Sequence, residues 1–112
     1  MSSSKLLKGS LATIVMRLLE EQEKMYGYEI TQKVKELTAG EFKITEGALY
    51  PTLHKLEAEG FLTTETQKVD NRVRKYYSLT REGNAEAKSK VAELEAFLVQ
   101  LQKVLNPKPS LG

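Results

Sequence analysis

The sequence contains no cysteine, no tryptophan and only one histidine among its 112 residues. Without thiols, and with one imidazole, the chain cannot form a disulfide framework, a Cys/His zinc site or a thiol redox switch. No apolar run approaches the roughly 18 residues that a membrane-spanning helix needs, and the opening stretch MSSSKLLKGS lacks the apolar core of a secretory signal. We therefore expect one cytoplasmic domain without metal, cofactor or membrane segment.

Charge of neither sign dominates. The formal net charge is +2 and the pI is near 8.8, which permits a nucleic-acid partner without requiring one. The placement of the charges along the chain must therefore distinguish a nucleic-acid surface from a merely solvated one.

Three helices are predicted in the first half of the chain, because leucine, isoleucine and valine recur there at steps of three and four. The pattern places these helices at about 6–21, 28–39 and 45–59. Thr45 is the expected N-cap of the third helix, and Gly60 fits a C-terminal cap in which Phe61 folds back toward Leu56.

The second half of the chain predicts a β-hairpin and one long helix. Two segments rich in Thr, Val and Tyr lie within 62–79 and are joined by Asp70, Asn71 and Arg72. Strand parity assigns Tyr77 to the core. The long helix covers 81–106, and a flexible tail covers 107–112. This order is mainly α with a β-hairpin, and it indicates a winged helix-turn-helix domain over 1–80 with a C-terminal dimerisation helix.

Helix three has an unusually bare outer side. When its three leucines face the core, an advance of 100° per residue defines the opposite side. A side without bulk allows the helix to enter the roughly 12 Å major groove of DNA. We call this side the helix-three ridge, and it consists of Gly47, Pro51, His54 and Ala58.

Two interpretations of Pro51 are open. In the first, Pro51 distorts the first turn and the flexible Gly47 moves aside, so that the regular helix starts nearer Pro51. In the second, Pro51 is the first residue of a shorter helix and Tyr50 is a packing residue.

Basic residues cluster around the turn of the predicted hairpin. Four cations and one acid, Asp70, fall within eight residues there. Such a cluster is usually a solvated loop, but this one follows a candidate groove helix, where a wing would contact phosphates. We predict DNA contacts by Thr45, Gly47, Tyr50, Pro51, His54, Lys55, Lys68, Arg72, Arg74 and Lys75.

Three separated segments resemble the PadR family of bacterial transcriptional regulators. They are YGYEI at 26–30, ITEGALYPTLHKLEAEGFL at 44–62 and RKYYSLTREG at 74–83. The likeness is to the small members, which have a single C-terminal helix. It implies a winged-helix DNA-binding domain, a C-terminal dimerisation helix, and repression relieved by a small-molecule effector that no residue identifies. It also implies that Tyr50 and the basic wing touch DNA.

A homodimer is expected from the residues alone, because the first and last helices each carry a second apolar side. On helix one that side consists of Ala12, Val15, Met16 and Leu19. The alternative is a lone domain whose alanines merely favour helix. The predicted dimer residues are Leu7, Leu11, Ala87, Val91, Leu94, Phe97, Leu98, Leu101 and Leu105.

The expected function is that of a dimeric, sequence-specific transcriptional repressor that reads a pseudo-palindromic operator on double-stranded DNA. The alternative is a winged-helix adaptor that binds proteins. An enzyme is not expected, since His54 has no nucleophile near it in the sequence and neither a phosphate-binding glycine loop nor paired carboxylates are present.

Overall fold

The computed structural model describes residues 3–109, with side chains from residue 5 onward. Its elements are α1 (Ser3–Glu21), β1 (Met25–Tyr26), α2 (Gly27–Leu37), α3 (Glu46–Ala58), β2 (Leu62–Val69), β3 (Arg72–Leu79) and α4 (Arg81–Leu105). This order confirms the predicted fold class of helices with a β-hairpin. The predicted tail falls partly outside the described residues, and its described part, 107–109, has no helix or strand.

Local capping sets the limits of α2 and α3. After α2, Ala39 and Gly40 adopt left-handed φ values of 50° and 83°, which turn the chain out of the helix. At the end of α3, Gly60 has a φ of 84°, and the Phe61 N–H donates to the Leu56 carbonyl at 2.9 Å. The predicted C-terminal cap, with Phe61 returning toward Leu56, is therefore confirmed.

The three strands form one antiparallel sheet in the order β1-β3-β2. Asp70 and Asn71 connect β2 to β3 with φ values of 50° and 63°, as a two-residue type I′ turn requires. The sequence analysis missed β1, which pairs Met25 with Tyr77 and Tyr26 with Tyr76. Two residues are too few to show an alternating pattern, so only the tertiary pairing reveals this strand.

The core lies between α1, α2, α3 and the sheet. Tyr77 is 1 % exposed, which confirms its assignment to the interior. Among the described residues, the buried apolar side chains are Leu11, Val15, Met16, Leu18, Leu19, Met25, Ile30, Val34, Leu49, Leu53, Leu56, Leu62, Tyr77 and Ala87.

Both apolar sides of α1 contribute to the core of the protomer. On the second side, Val15, Met16 and Leu19 are buried, because α1 lies against both α3 and α4. Leu11 and Ala87 were predicted as dimer residues, yet they are 1 % and 0 % exposed. A second copy cannot reach side chains that the protomer already encloses, so Leu11 and Ala87 leave the predicted dimer surface.

Hydrogen bonds of Thr80 connect the start of α4 to the turn that follows α3. The Thr80 hydroxyl donates to the Gly60 carbonyl at 2.6 Å and accepts from the Gly83 N–H at 2.9 Å. The Thr80 N–H donates to the Phe61 carbonyl at 3.0 Å. Gly83 is buried, and a Cβ built on it would overlap the backbone of Phe61. These contacts fix the direction in which α4 leaves the winged-helix body.

The far half of α4 extends away from this body. From residue 95 to its end, every residue of the helix is exposed. No helix within residues 3–109 is long and apolar enough to cross a membrane.

Candidate nucleic-acid interface

The helix-three ridge is free of contact with the rest of the chain. Leu49 and Leu53 are 0 % exposed and Leu56 is 4 % exposed, so these leucines hold α3 against the core. All four ridge residues are exposed on the opposite side, as the helical spacing predicts. A Cβ built on Gly47 would meet no atom within 4 Å, which shows how open this side is.

Pro51 does not break or shorten α3, so both interpretations of its effect on the helix were wrong. The helix begins at Glu46 and continues through Pro51 to Ala58. Its first turn is held by Thr45, whose hydroxyl accepts from the Ala48 N–H at 3.2 Å and whose carbonyl accepts from the Leu49 N–H at 2.9 Å. Buried leucines before and after the proline anchor the helix on both sides of the missing hydrogen bond.

Tyr50 connects two of the sequence motifs. Its ring is half-buried and packs against the core, and its hydroxyl end lies directly over Gly27. A Cβ on Gly27 would come within 2.8 Å of the Tyr50 ring carbon Cζ. Glycine at 27 therefore permits the close approach, and Tyr50 is a packing residue that also reaches the surface beside the ridge.

An open groove separates α3 from β3. Its volume is about 330 Å³. His54 and Tyr50 line one wall, with their ring centroids 6.3 Å apart. Val73, Arg74 and Lys75 line the other wall. Four residues predicted to bind DNA thus meet at this groove: Tyr50, His54, Arg74 and Lys75.

The wing presents its cations on two different faces. Neighbouring residues of a strand alternate in direction, so Arg72 and Arg74 share one face while Lys75 points to the other. Lys68 lies opposite Val73 in the register and therefore shares the Lys75 face. The sequence analysis treated these residues as one basic tip, but they can contact a partner from both sides of the hairpin.

On the face toward α3, Lys75 is engaged by the protein itself. Its ammonium lies 3.8 Å from a Glu57 carboxylate oxygen and 5.5 Å from the ring centroid of Tyr77. Both ion-pair partners are exposed to solvent, so the pair is weak and can be exchanged for a phosphate.

On the other face, Arg74 stacks on Tyr26. The guanidinium carbon lies 4.5 Å from the Tyr26 ring centroid, a cation–π distance. Tyr26 in turn meets Tyr76 edge-to-face, with ring centroids 5.4 Å apart. The pKa of Arg74 is raised from its ordinary value, chiefly by the Tyr76 hydroxyl, so the side chain remains a cation. Tyr26 was missed as a site residue, although it opens the YGYEI motif.

Residues 15–89 of the chain match the transcriptional regulator PadR-like family. The chain belongs to the PadR-like family. Proteins of this family are transcriptional regulators and not enzymes.

Three relatives illustrate the similarity. The transcriptional regulator Rv3488 of Mycobacterium tuberculosis is 43 % identical over 61 residues, which are 54 % of each protein. A PadR family regulator from Eggerthella lenta superposes with a TM-score of 0.79 at 26 % identity, covering 95 % of this chain and 90 % of that one. The Bacillus subtilis PadR in complex with operator DNA gives a TM-score of 0.64 at 30 % identity, covering 72 % of this chain and 45 % of that one.

Four of the remaining predicted site residues of this PadR-like regulator, described next, do not line the groove. Thr45 is exposed, with its hydroxyl engaged as the α3 cap. Lys55 is exposed on the side of α3 that faces α1. Lys68 and Arg72 are exposed near the turn of the wing. No cluster of three or more metal-binding side chains occurs within the described part of the PadR-like chain.

Proposed function

We propose that this PadR-like regulator is a homodimeric, sequence-specific DNA-binding repressor. The observation that carries the proposal is the exposed ridge of α3, bare of bulk and bordered by a basic wing. An α-helix fits the major groove when its backbone can approach the base edges, and small residues on its outer side permit that approach.

Helix three and the wing would contact different parts of the DNA. Tyr50 borders the ridge and His54 lies on it, and the polar atoms of both would reach base edges or phosphates. The Arg74 guanidinium, held over Tyr26, and the exposed Lys68 and Arg72 would contact phosphates. Lys75 would exchange its Glu57 partner for a phosphate oxygen on binding.

A dimer is supported by apolar surface that the protomer leaves uncovered. Phe97 and Leu105 in the far half of α4 are 60 % and 63 % exposed. A groove of about 270 Å³, lined mostly by apolar side chains, also lies between α1, α2 and α4. We propose that a second copy covers both through a two-fold axis. The dimer residues are then Val91, Leu94, Phe97, Leu98, Leu101 and Leu105, joined by Val104, whereas the predicted dimer residue Leu7 lines a separate groove at the start of α1.

DNA binding and dimerisation are assigned to two consecutive parts of the chain. Residues 1–80 would form the DNA-binding domain, and 81–106 would form the dimerisation helix. The hydrogen bonds of Thr80 fix α4 relative to α3. A small-molecule effector that changed the angle between two paired α4 helices would therefore change the distance between the two helix-three ridges. A regulator acting on a bacterial chromosome would work in the cytoplasm.

Selection of genomic DNA fragments by the purified protein tests the proposal. We expect enrichment of fragments that share a pseudo-palindrome, with half-sites about one helical turn, 34–36 Å, apart. Transcription from the selected promoter should fall when the protein is added in vitro. If no fragment is enriched at low salt while a protein partner is retained, the adaptor function replaces this one.

A further inference from the structure

A second group of cations lies on the flank of α3 that faces away from the wing. The first turns of α1 and the loop before α3 enclose a shallow groove of about 330 Å³. Three lysines and several apolar side chains line this groove. The lysines are Lys5, Lys8 and Lys43, and the apolar side chains include Leu7, Ile44 and Ala48.

These three lysines form no ion pair within the described residues, although Lys8 also lines a neighbouring groove with Glu59, Glu86 and Glu93. Among residues 5–109, no carboxylate oxygen lies within 4.0 Å of any of their ammonium nitrogens. All three side chains are exposed, and no acidic residue lines the groove that the three share. The wing differs, because its Lys75 is paired with Glu57. Three unpaired cations around one groove favour a partner with several negative charges at regular spacing.

The two cationic groups lie on opposite sides of the ridge. Ala48 lines the lysine groove, whereas Tyr50 lines the groove beside the wing. Gly47 and Pro51 are exposed between them. The major groove of DNA is bounded by one phosphate backbone on each side. A helix seated in it therefore presents one flank to each strand.

We infer that Lys5, Lys8 and Lys43 bind backbone phosphates of the DNA strand opposite to the strand that the wing contacts. We call these residues the lysine flank. This inference depends on the proposed DNA binding. With the wing on one strand and the lysine flank on the other, the rotation of α3 about its own axis is fixed in the groove. Phosphate contacts of this kind set the orientation from which base edges are read.

The salt dependence of the affinity for DNA measures how many phosphates the lysine flank contacts. The variant K5Q/K8Q/K43Q removes three charges and keeps most of each side chain. Each lost phosphate contact reduces the slope of log affinity against log salt by about 0.9, so the six contacts of a dimer, three per protomer, reduce it by about 5.4. Between 50 and 200 mM salt, the fall in affinity for the selected duplex then shrinks by about 2,000-fold. The matched control is K103Q/K108Q at the distal end of the chain, for which we expect an unchanged slope.

The strand assignment is tested with duplexes that carry neutral methylphosphonates on one strand within one half-site at a time, because the two-fold axis exchanges the two strands between half-sites. Neutralising the strand contacted by the lysine flank should weaken the wild-type protein but leave K5Q/K8Q/K43Q almost unaffected. The reverse pattern is expected for the wing variant R72Q/R74Q.

Two results would overturn the inference. One is a wild-type salt slope in K5Q/K8Q/K43Q, and the other is equal sensitivity of both variants to the same strand. In either case the wild-type protein still binds the duplex, whereas failure of the proposed function appears as absence of binding by the wild type itself. Circular dichroism checks that the triple variant keeps its helix content.

Discussion

Helices α1 and α4 are similar in sequence but opposite in environment. Both show leucine, valine and alanine at helical spacing, with further apolar residues on a second side. From Leu11 onward, α1 has buried side chains on both sides, including Val15 at 0 % and Leu19 at 4 % exposure. In α4 only Gly83 and Ala87 are buried. Apolar periodicity therefore predicted both helices but did not show whether the same chain or another copy covers them.

The largest difference between the two helices is expected from truncating a leucine in each. Leu11→Ala opens a cavity in the core beside α1 and should lower the free energy of unfolding by about 3 to 4 kcal/mol. Leu105→Ala removes a 63 % exposed side chain and should leave the stability of the isolated protomer nearly unchanged. Urea unfolding at low protein concentration measures both variants, and a small effect of Leu11→Ala would show that α1 is not the centre of the core.

A second pair of variants compares the glycines of the two helices. In Gly83→Ala the new methyl group meets the Phe61 backbone, so we expect a loss of about 2 to 3 kcal/mol. Gly9→Ala in α1 meets no atom within 4 Å and should gain about 0.5 to 1 kcal/mol from helix propensity. Thermal unfolding should show a lower melting temperature for Gly83→Ala and a higher one for Gly9→Ala than for the wild type. Equal melting temperatures of the two variants would contradict the close contact at the start of α4.

The exposed half of α4 is tested through association. Phe97→Ser and Leu101→Ser together should weaken self-association about tenfold or more, equivalent to about 1.4 kcal/mol. Sedimentation equilibrium measures the shift, and unchanged helix content shows that the protomer is intact. The paired control Ala92→Ser and Ala96→Ser changes exposed residues outside the predicted dimer set. Self-association that survives the first change would move the interface away from the distal half of α4.

The smallest expected effect is on the pH dependence of stability, and it comes from the buried Tyr77. Burial raises the pKa of the Tyr77 phenol above its ordinary value of 10.0, although nearby Lys75 partly opposes this shift. Folding then favours the protonated phenol. The resulting stability is fully present below pH 10 and is lost as the pH rises through the folded-state pKa. Tyr77→Phe should therefore lose less stability than the wild type between pH 9 and 11 in urea titrations.

Local rules account for what the sequence predicted well. The Thr45 cap, the Gly60 turn and the Asp70–Asn71 hairpin each depend on a few neighbouring residues, so the sequence alone contains their causes. The ridge of α3 followed from the spacing of three leucines.

The misses involve contacts between distant segments. Strand β1 exists only through its pairing with β3, and the place of Gly27 becomes clear only when Tyr50 lies over it. Pro51 was expected to distort or shorten α3, but the buried leucines hold the helix on both sides of it. The lysine flank joins residues of α1 with Lys43, 35 positions after Lys8, and no single segment of the sequence shows that cluster.

The hydrogen bonds of Thr80 couple the orientation of α4 to that of α3. With 25 residues, α4 is about 37 Å long, so moving its far end by about 3 Å rotates α4, and α3 with it, by about 5°. A contact at the distal end of α4 can therefore reorient α3 although it lies far from it. Substitutions at that end can change this contact while the residues proposed to face DNA stay as they are.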